Sequence, residues 1–341
     1  MKIFEHSSHV VHEAKVELVP GKFVPSLDSS RRISTVLLAL TEQGIGTPVD
    51  CLPATREDLL RIHKADYLDF LENAWTEWCA AYDPALDGTP FVWPHRNRPP
   101  RCPNTIEGKM GYYIFDGVSP ITAGMWSASI GAAGAAVAAS RSLQDTGVSC
   151  LAISRPPGHH AGPDLGGGTS YINHTALAAA RLAMNGARVA ILDVDAHHGN
   201  GTQAIFWDTD RVLTISIHAD PAFDYPYFSG YADEIGHGPG ENFNINLPLA
   251  PGATWEKYAD ALRKAGQRLE AFGADYLVVA LGVDTYVEDP AGKLALTLDD
   301  FSRLGDSIAS LRIPKMFVFE GGYNLEAIGE CVAKVLAPND R

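Results

Sequence analysis

The hydrophobic pattern changes character near residue 148. Before that point, apolar residues recur at helical spacing. "RRISTVLLALTEQG" (31–44) carries an apolar stripe and ends on Gly44, which predicts a helix with a glycine stop. "TREDLLRIHKADYLDFLENAWTEWCAA" (55–81) sets Leu59, Leu60, Ile62, Tyr67, Leu68, Phe70 and Leu71 at the same spacing and predicts a second helical stretch. The N-terminal third therefore reads as mostly helical. From residue 148 short apolar runs take over: "VSCLAIS" (148–154), "VAILDVD" (189–195), "VLTISIH" (212–218), "YLVVALGVD" (276–284) and "KMFVFEGG" (315–322). Amphipathic stretches such as "HTALAAARLAMNG" (174–186) and "TWEKYADALRKAGQRLEAFG" (254–273) lie between them. Apolar strands alternating with helices predict an α/β fold with a central parallel sheet covered on both faces.

One stretch breaks both periods. "YDPALDGTPFVWPHRNRPPRCPN" (82–104) is rich in proline, arginine and aromatics, and its prolines exclude a regular helix. A loop of this length is expected to be ordered at an interface or an active-site rim, because Phe91 and Trp93 need a partner. No repeat or low-complexity tract interrupts the rest, so residues 1–341 are expected to form a single domain with an insertion at 82–104.

Charge narrows the partners. A net charge of −14 repels phosphates and anionic lipid, which argues against nucleic acid and membrane and is compatible with cationic ligands. The five cysteines are scattered, with no C-x-x-C, so neither a disulfide framework nor a thiolate zinc site is expected. The N-terminus shows no apolar secretory segment and no apolar run is long enough to span a bilayer. A reducing, cytoplasmic location fits.

Candidate chemistry sits where the apolar runs end, and ligands of parallel sheets bind at the carboxyl ends of strands. "CLAIS" leads to His159 and His160 in "RPPGHHAG" (155–162); "VAIL" leads to Asp193, Asp195 and His197; "LVVALGV" leads to Asp284; "MFVFEGG" leads to Tyr323. In "LDVDAHHGNGTQ" (192–203), two-residue alternation points Asp193, Asp195 and His197 one way and His198 the other. One strand-end aspartate commonly caps the following helix. Two beside a histidine repel one another and lose hydration, which a bound cation relieves. Asp195, His197 and Asp284 supply oxygen and nitrogen donors suited to Zn²⁺, with an open position for water and substrate. His198 is expected to be a packed histidine. No G-x-S-x-G elbow, phosphate-binding G-x-x-x-x-G-K-[ST] loop or H-E-x-x-H pair competes.

These motifs, with "GGGTSYIN" (166–173), "GVDTY" (282–286), "EGGYN" (320–324) and "IHKADYLDFL" (62–71), resemble the histone deacetylase and acetylpolyamine amidohydrolase superfamily, in its order and over most of the chain from about residue 60. The resemblance implies the arginase-deacetylase fold and a zinc-dependent amidohydrolase, with Fe²⁺ or Co²⁺ as possible substitutes. It assigns Asp195, His197 and Asp284 to the metal, His159 and His160 to the catalytic pair, and Tyr323 to the substrate carbonyl. Asp193 falls behind His159. Asn200 falls behind His160, where some members have Asp. Asp193, Asp195, His197, Ser216 and Ile217 match one K⁺ or Na⁺ site, and Phe206, Thr209, Val212 and Phe243 match a second. Gly168 and Tyr225 match tunnel-wall positions.

Substrate choice is less constrained. Segment 82–104 is similar to the insertion with which polyamine-type members dimerise, implying a homodimer or higher oligomer. Glu107 matches an acidic residue that attracts polyamine ammonium groups. Val118 stands where a second acid is expected, with Asp116 close by. Thr169 and Ser170 replace an aromatic and a cysteine of the tunnel wall, and Ala291 supplies no acidic gatekeeper. Small acetylated amines, acetylpolyamines first, are expected, with acetyl-lysine peptides as the alternative. Two other classes remain open. A two-metal ureohydrolase on this fold would need a second ligand set. A non-catalytic acyl-amine binder would have no need of the histidines and the tyrosine.

Overall fold

The computed structural model describes residues 1–97 and 99–340. The strands are β1 (Lys2–Glu5), β2 (Val16–Val19), β3 (Lys22–Pro25), β4 (Thr47–Asp50), β5 (Cys150–Ala152), β6 (Val189–Asp193), β7 (Val212–Ala219), β8 (Asn244–Leu249), β9 (Tyr276–Leu281) and β10 (Lys315–Phe319). The helices are α1 (Arg31–Glu42), α2 (Arg56–Leu59), α3 (Ala65–Ala81), α4 (Ile106–Tyr113), α5 (Met125–Thr146), α6 (His174–Leu182), α7 (Asn200–Phe206), α8 (Trp255–Phe272), α9 (Leu298–Ser310) and α10 (Ile328–Leu336). Eight strands form one parallel sheet in the order β4-β1-β5-β10-β9-β6-β7-β8, and β2 and β3 form a separate hairpin.

The continuous apolar runs follow from burial on both faces. Along β9, Leu277, Val279 and Leu281 join a core with α1, α8, α9 and α10, whereas Val278 faces a second core with α3, α4, α5 and α6. β10 splits likewise, Phe317 and Phe319 against Met316 and Val318. Both edge strands carry a proline, Pro48 in β4 and Pro248 in β8, which blocks further pairing.

The N-terminal third is less helical than its pattern predicts. β1 and β4 complete the sheet beside β5; four residues each, they are too short to register as apolar runs. The stretch 55–81 is two helices. Between them the His63 ring engages the Gly162 carbonyl at 2.8 Å and accepts the Asn173 N–H at 3.0 Å, which holds the backbone out of the helix. Helix α5 gives little periodicity because its buried face is built from Ala, Gly and Ser. Among the described residues, no helix is long and apolar enough to cross a membrane.

Segment 82–104 contains no helix or strand among its described residues. It is anchored at points: Trp93 Nε1–H donates to the Ile114 carbonyl at 2.9 Å, and Gly88 bridges Ile121. Phe91 remains 70% exposed.

Candidate metal centre and catalytic histidines

The order β5-β10-β9-β6 places four strand ends side by side, and their loops converge. β6 ends at Asp193, so regular strand alternation stops before the candidate ligands, yet Asp195, His197 and Asp284 still meet. Their donor atoms all lie within 4.8 Å of one another. His197 Nδ1 faces Asp284 Oδ2 at 3.1 Å and Asp195 Oδ1 at 3.3 Å. The other ring nitrogen donates to the Ala291 carbonyl at 3.2 Å, which fixes the tautomer with Nδ1 as the ligating atom. The second oxygens of the carboxylates are held by backbone, Asp195 Oδ2 by Gly321 N–H and Asp284 Oδ1 by Ala196 N–H, both at 2.8 Å. Glycine is required at 321, where a Cβ would lie 2.4 Å from Asp284 Oδ2 and 2.5 Å from Asp195 Oδ2.

The electrostatics of the donor set fit a divalent cation. Both carboxylates are fully buried. Burial and the neighbouring Asp195 push Asp284 up to about 7, the signature of one negative charge too many in a small dry volume. Burial opposes a charge on His197, but Asp195 and Asp284 outweigh it and raise the imidazole well above its ordinary value. A cation at this point replaces the proton on His197 and relieves the carboxylate repulsion. Among the described residues this is the one group of three or more such side chains close enough to share an ion. No second ligand set of the ureohydrolase kind is found among them.

The two histidines lie beside this centre with ring centroids 4.0 Å apart. They differ in what stands behind them. His159 Nδ1 donates to Asp193 Oδ2 at 2.9 Å, whereas His160 Nδ1 donates to the neutral Asn200 Oδ1 at 2.7 Å. Burial would lower the His159 pKa, but Asp195 and Asp193 raise it to about 10. Burial, then the His159 and His197 imidazoles, push His160 well below its ordinary value. The two imidazoles are therefore unlike: a carboxylate stands behind the first and a neutral amide behind the second.

The residues expected at the channel wall are Gly168, Thr169 and Tyr225. The Tyr225 ring meets His160 edge-on at 5.0 Å. Gly168 has φ +56°, and a Cβ there would lie 2.2 Å from the His160 ring. Thr169 also takes a positive φ, +58°, with its N–H on Ser119 Oγ. Asp116 differs from the free entrance acid that the sequence suggests. Tyr225 OH and Gly168 N–H both donate to its Oδ2 at 2.6 Å, and Ser119 Oγ and Val118 N–H donate to Oδ1. It braces the wall, its lone pairs being taken. Glu107, in the first turn of α4, accepts from Tyr82 OH.

Tyr323 follows β10. Its N–H donates to Asp289 Oδ2 at 2.7 Å, and the Arg32 guanidinium stacks on its ring at 4.5 Å. Burial raises the phenol well above its usual value, so it stays protonated and able to donate. Ser216 pairs with Asp193 across adjacent strands, with Ile217 next to it. In the second set the Phe206 and Phe243 carbonyls already accept Thr209 N–H and Thr214 N–H, and Val212 opens β7. His198 packs on His218 at 4.7 Å, the packed role expected of it. Sequence reasoning missed Arg32, Asp289 and Glu320, which grip the Tyr323 and His159 loops. Only Glu320 carried a signal, as a carboxylate ending an apolar run.

Residues 26–338 match the histone deacetylase domain family. The chain belongs to that family. This histone deacetylase-family enzyme is 45% identical over 330 residues to acetylpolyamine amidohydrolase 1 of Pseudomonas aeruginosa, covering 96% of this chain and 95% of that protein. It is 40% identical over 338 residues to the acetylpolyamine amidohydrolase of Mycoplana ramosa, with 98% of each chain covered. The crystal structure of an acetylpolyamine aminohydrolase from Burkholderia pseudomallei superposes with a TM-score of 0.94 at 32% identity, covering 99% of this chain and 98% of that one. The fold is thus the arginase-deacetylase fold, and the chain is a deacetylase of a metal-dependent family.

Proposed function

We propose that this deacetylase hydrolyses the acetamide of acetylated polyamines and similar small cationic amides. The observation that carries the reading is a buried pair of unlike histidines beside an Asp–His–Asp metal centre, in a chain similar over almost its whole length to acetylpolyamine amidohydrolases. The net charge of −14 favours a cationic substrate.

Asp195, His197 and Asp284 would hold Zn²⁺, or Fe²⁺ or Co²⁺ in its place, which when bound would supply Lewis-acid polarisation of the acyl oxygen and a lowered pKa for the attacking water. His160 accepts the water proton at Nε2, because its Nδ1–H is committed to Asn200. It then returns the proton to the departing amine. His159, its Nδ1 held by the Asp193 carboxylate, stabilises negative charge next to that base. The protonated Tyr323 phenol donates to the developing oxyanion. Ser216, Ile217 and the backbone of 193–197, and separately Phe206, Thr209, Val212 and Phe243, are proposed to hold structural K⁺ or Na⁺.

The protein is proposed to act as one cytoplasmic catalytic domain that pairs with a second copy through segment 82–104. Support comes from Phe91 and Val92, exposed there, and from Arg96, whose guanidinium lies 5.3 Å from the Phe228 ring on the loop that carries Tyr225. Acetyl-lysine peptides are the second reading, favoured by the small Thr169 in the channel wall. The test is acetate release from acetylputrescine by the zinc-loaded enzyme, with Tyr323→Phe as the control. Turnover is expected to fall by about 10²–10³-fold in that variant, as for loss of other oxyanion donors. Near-normal turnover would remove Tyr323 from the mechanism.

A further inference from the structure

The fully buried carboxylate of Glu320 has no part in the chemistry above, yet it touches the catalytic turn directly. Its Oε2 accepts the N–H groups of Gly158, at 2.7 Å, and His159, at 3.2 Å. Its Oε1 accepts the Thr175 hydroxyl at 2.7 Å. Its own N–H donates to the Leu281 carbonyl at the end of β9, and its carbonyl accepts from Arg32 Nη2 at 2.5 Å. The carbonyl side of the same turn is held by Asn173 Nδ2, which donates to Ala161 O at 3.0 Å and His159 O at 3.4 Å. Gly158 is packed from the opposite side, where a Cβ would lie 2.7 Å from the His174 nitrogen and the Ile172 oxygen.

We propose that Glu320 is a positioning residue, which ties the backbone of the His159–His160 turn to the strand end that carries Tyr323. One residue thus joins the loops bearing the base, the phenol and, through Leu281, the metal-side aspartate. An apolar side chain of similar size would suit the surrounding core better, but it would leave two buried N–H groups without acceptors. Three hydrogen bonds to its two oxygens offset part of the cost of burying it, and burial still pushes the carboxyl up to about 7. The consequence is geometric: the base and the oxyanion donor keep a fixed separation, and misplacing such groups by about 1 Å costs on the order of 10²-fold in rate.

The inference rests on the deacetylase reading, and its test separates the two. Glu320→Ala and Glu320→Gln are compared in the zinc-loaded enzyme with acetylputrescine as probe, together with amide hydrogen exchange at Gly158 and His159. Gln can still accept both N–H groups with its oxygen and donate to Thr175. The expected result is a kcat loss of about 10²-fold for Ala, KM within about threefold, unchanged metal content, and recovery to within about tenfold of wild type in Gln. Amide exchange at both residues should quicken in Ala and not in Gln. If Ala does not fold, Thr175→Val takes its place and should lose about three- to tenfold in kcat at constant KM. A folded, metal-loaded Ala variant with wild-type kcat, a Gln variant as impaired as Ala, unchanged exchange, or a silent Thr175→Val each overturns the proposal. Failure of the wild type to turn over the probe overturns the substrate reading instead, and the exchange measurement still decides the clamp.

Discussion

Replacing Asn200 by aspartate should move the acidic limb of the pH–rate profile upward. The two neighbouring imidazoles provide the internal comparison. Both are buried, 4.0 Å apart, yet the one backed by Asp193 is raised to about 10 and the one backed by Asn200 is pushed well below its ordinary value. In Asn200→Asp a negative charge would stand where an amide oxygen now lies 2.7 Å from His160 Nδ1. An opposite charge at such range in a dry site raises an imidazole pKa by roughly 1–3, about 1.4–4 kcal/mol. His160 must be neutral to accept a proton. Its neutral form is present above its pKa and is lost as the pH falls through it, so a raised pKa moves the acidic fall in kcat/KM to higher pH. In the wild type that fall should lie below about pH 6.5, the ordinary imidazole value. The assay is kcat/KM for the zinc-loaded enzyme from roughly pH 5 to pH 9, with metal content checked at each end. At a fixed pH on the limb, moving the limb up by about one pH unit costs about tenfold in rate. A variant that keeps its metal and whose limb stays within about 0.3 of a pH unit of wild type would refute the assignment of His160 as the neutral base.

Gly168→Ala should displace the His160 ring, because the added Cβ lies 2.2 Å from it on a backbone with φ +56°; a kcat loss of about 10²-fold at normal metal content is expected, and unchanged kcat contradicts the packing. Wild type should bind about one zinc per chain by elemental analysis, and Asp195→Asn and Asp284→Asn should each lose most of it; about two per chain would revive the two-metal alternative. Acid should unfold the protein early: burial holds His12, His63 and His218 down to about 4 and His174 to about 3. The unfolded chain takes up these protons near pH 6.5 and the folded one does not, so the contribution of these four groups is full above about pH 6.5 and falls by at most about 5.4 kcal/mol per pH unit toward pH 4. Urea unfolding at about pH 7 and about pH 5 measures this, and an equal or higher midpoint at the lower pH would contradict it.

Much of the site could be read in the sequence because its members sit just past apolar runs that the sheet sets side by side. His159, His160, Asp193, Asp195, His197, Asp284 and Tyr323 all obey that rule. His198 is packed as expected, but strand parity is not the reason, because β6 ends at Asp193. What escaped lies in contacts between distant segments: Glu320 to Gly158 across 162 positions, and Arg32 to the Gly322 carbonyl across 290. Asp116 was legible as an acid near the entrance, but its partners Tyr225 and Gly168 come from other loops, so its bracing role was not. β1, β4 and α5 went unseen for local reasons, the strands being four residues long and the helix built of small side chains.

The central claim is a preference for small acetylated polyamines, and steady-state deacetylation of acetylputrescine, acetylspermidine and an acetyl-lysine peptide by the zinc-loaded protein tests it directly. The account predicts that the acetylated polyamines are favoured by more than ~100-fold in kcat/KM, about 2.7 kcal/mol of transition-state discrimination. A lysine peptide turned over as well or better would contradict it, and would place specificity with the small Thr169 wall of the channel.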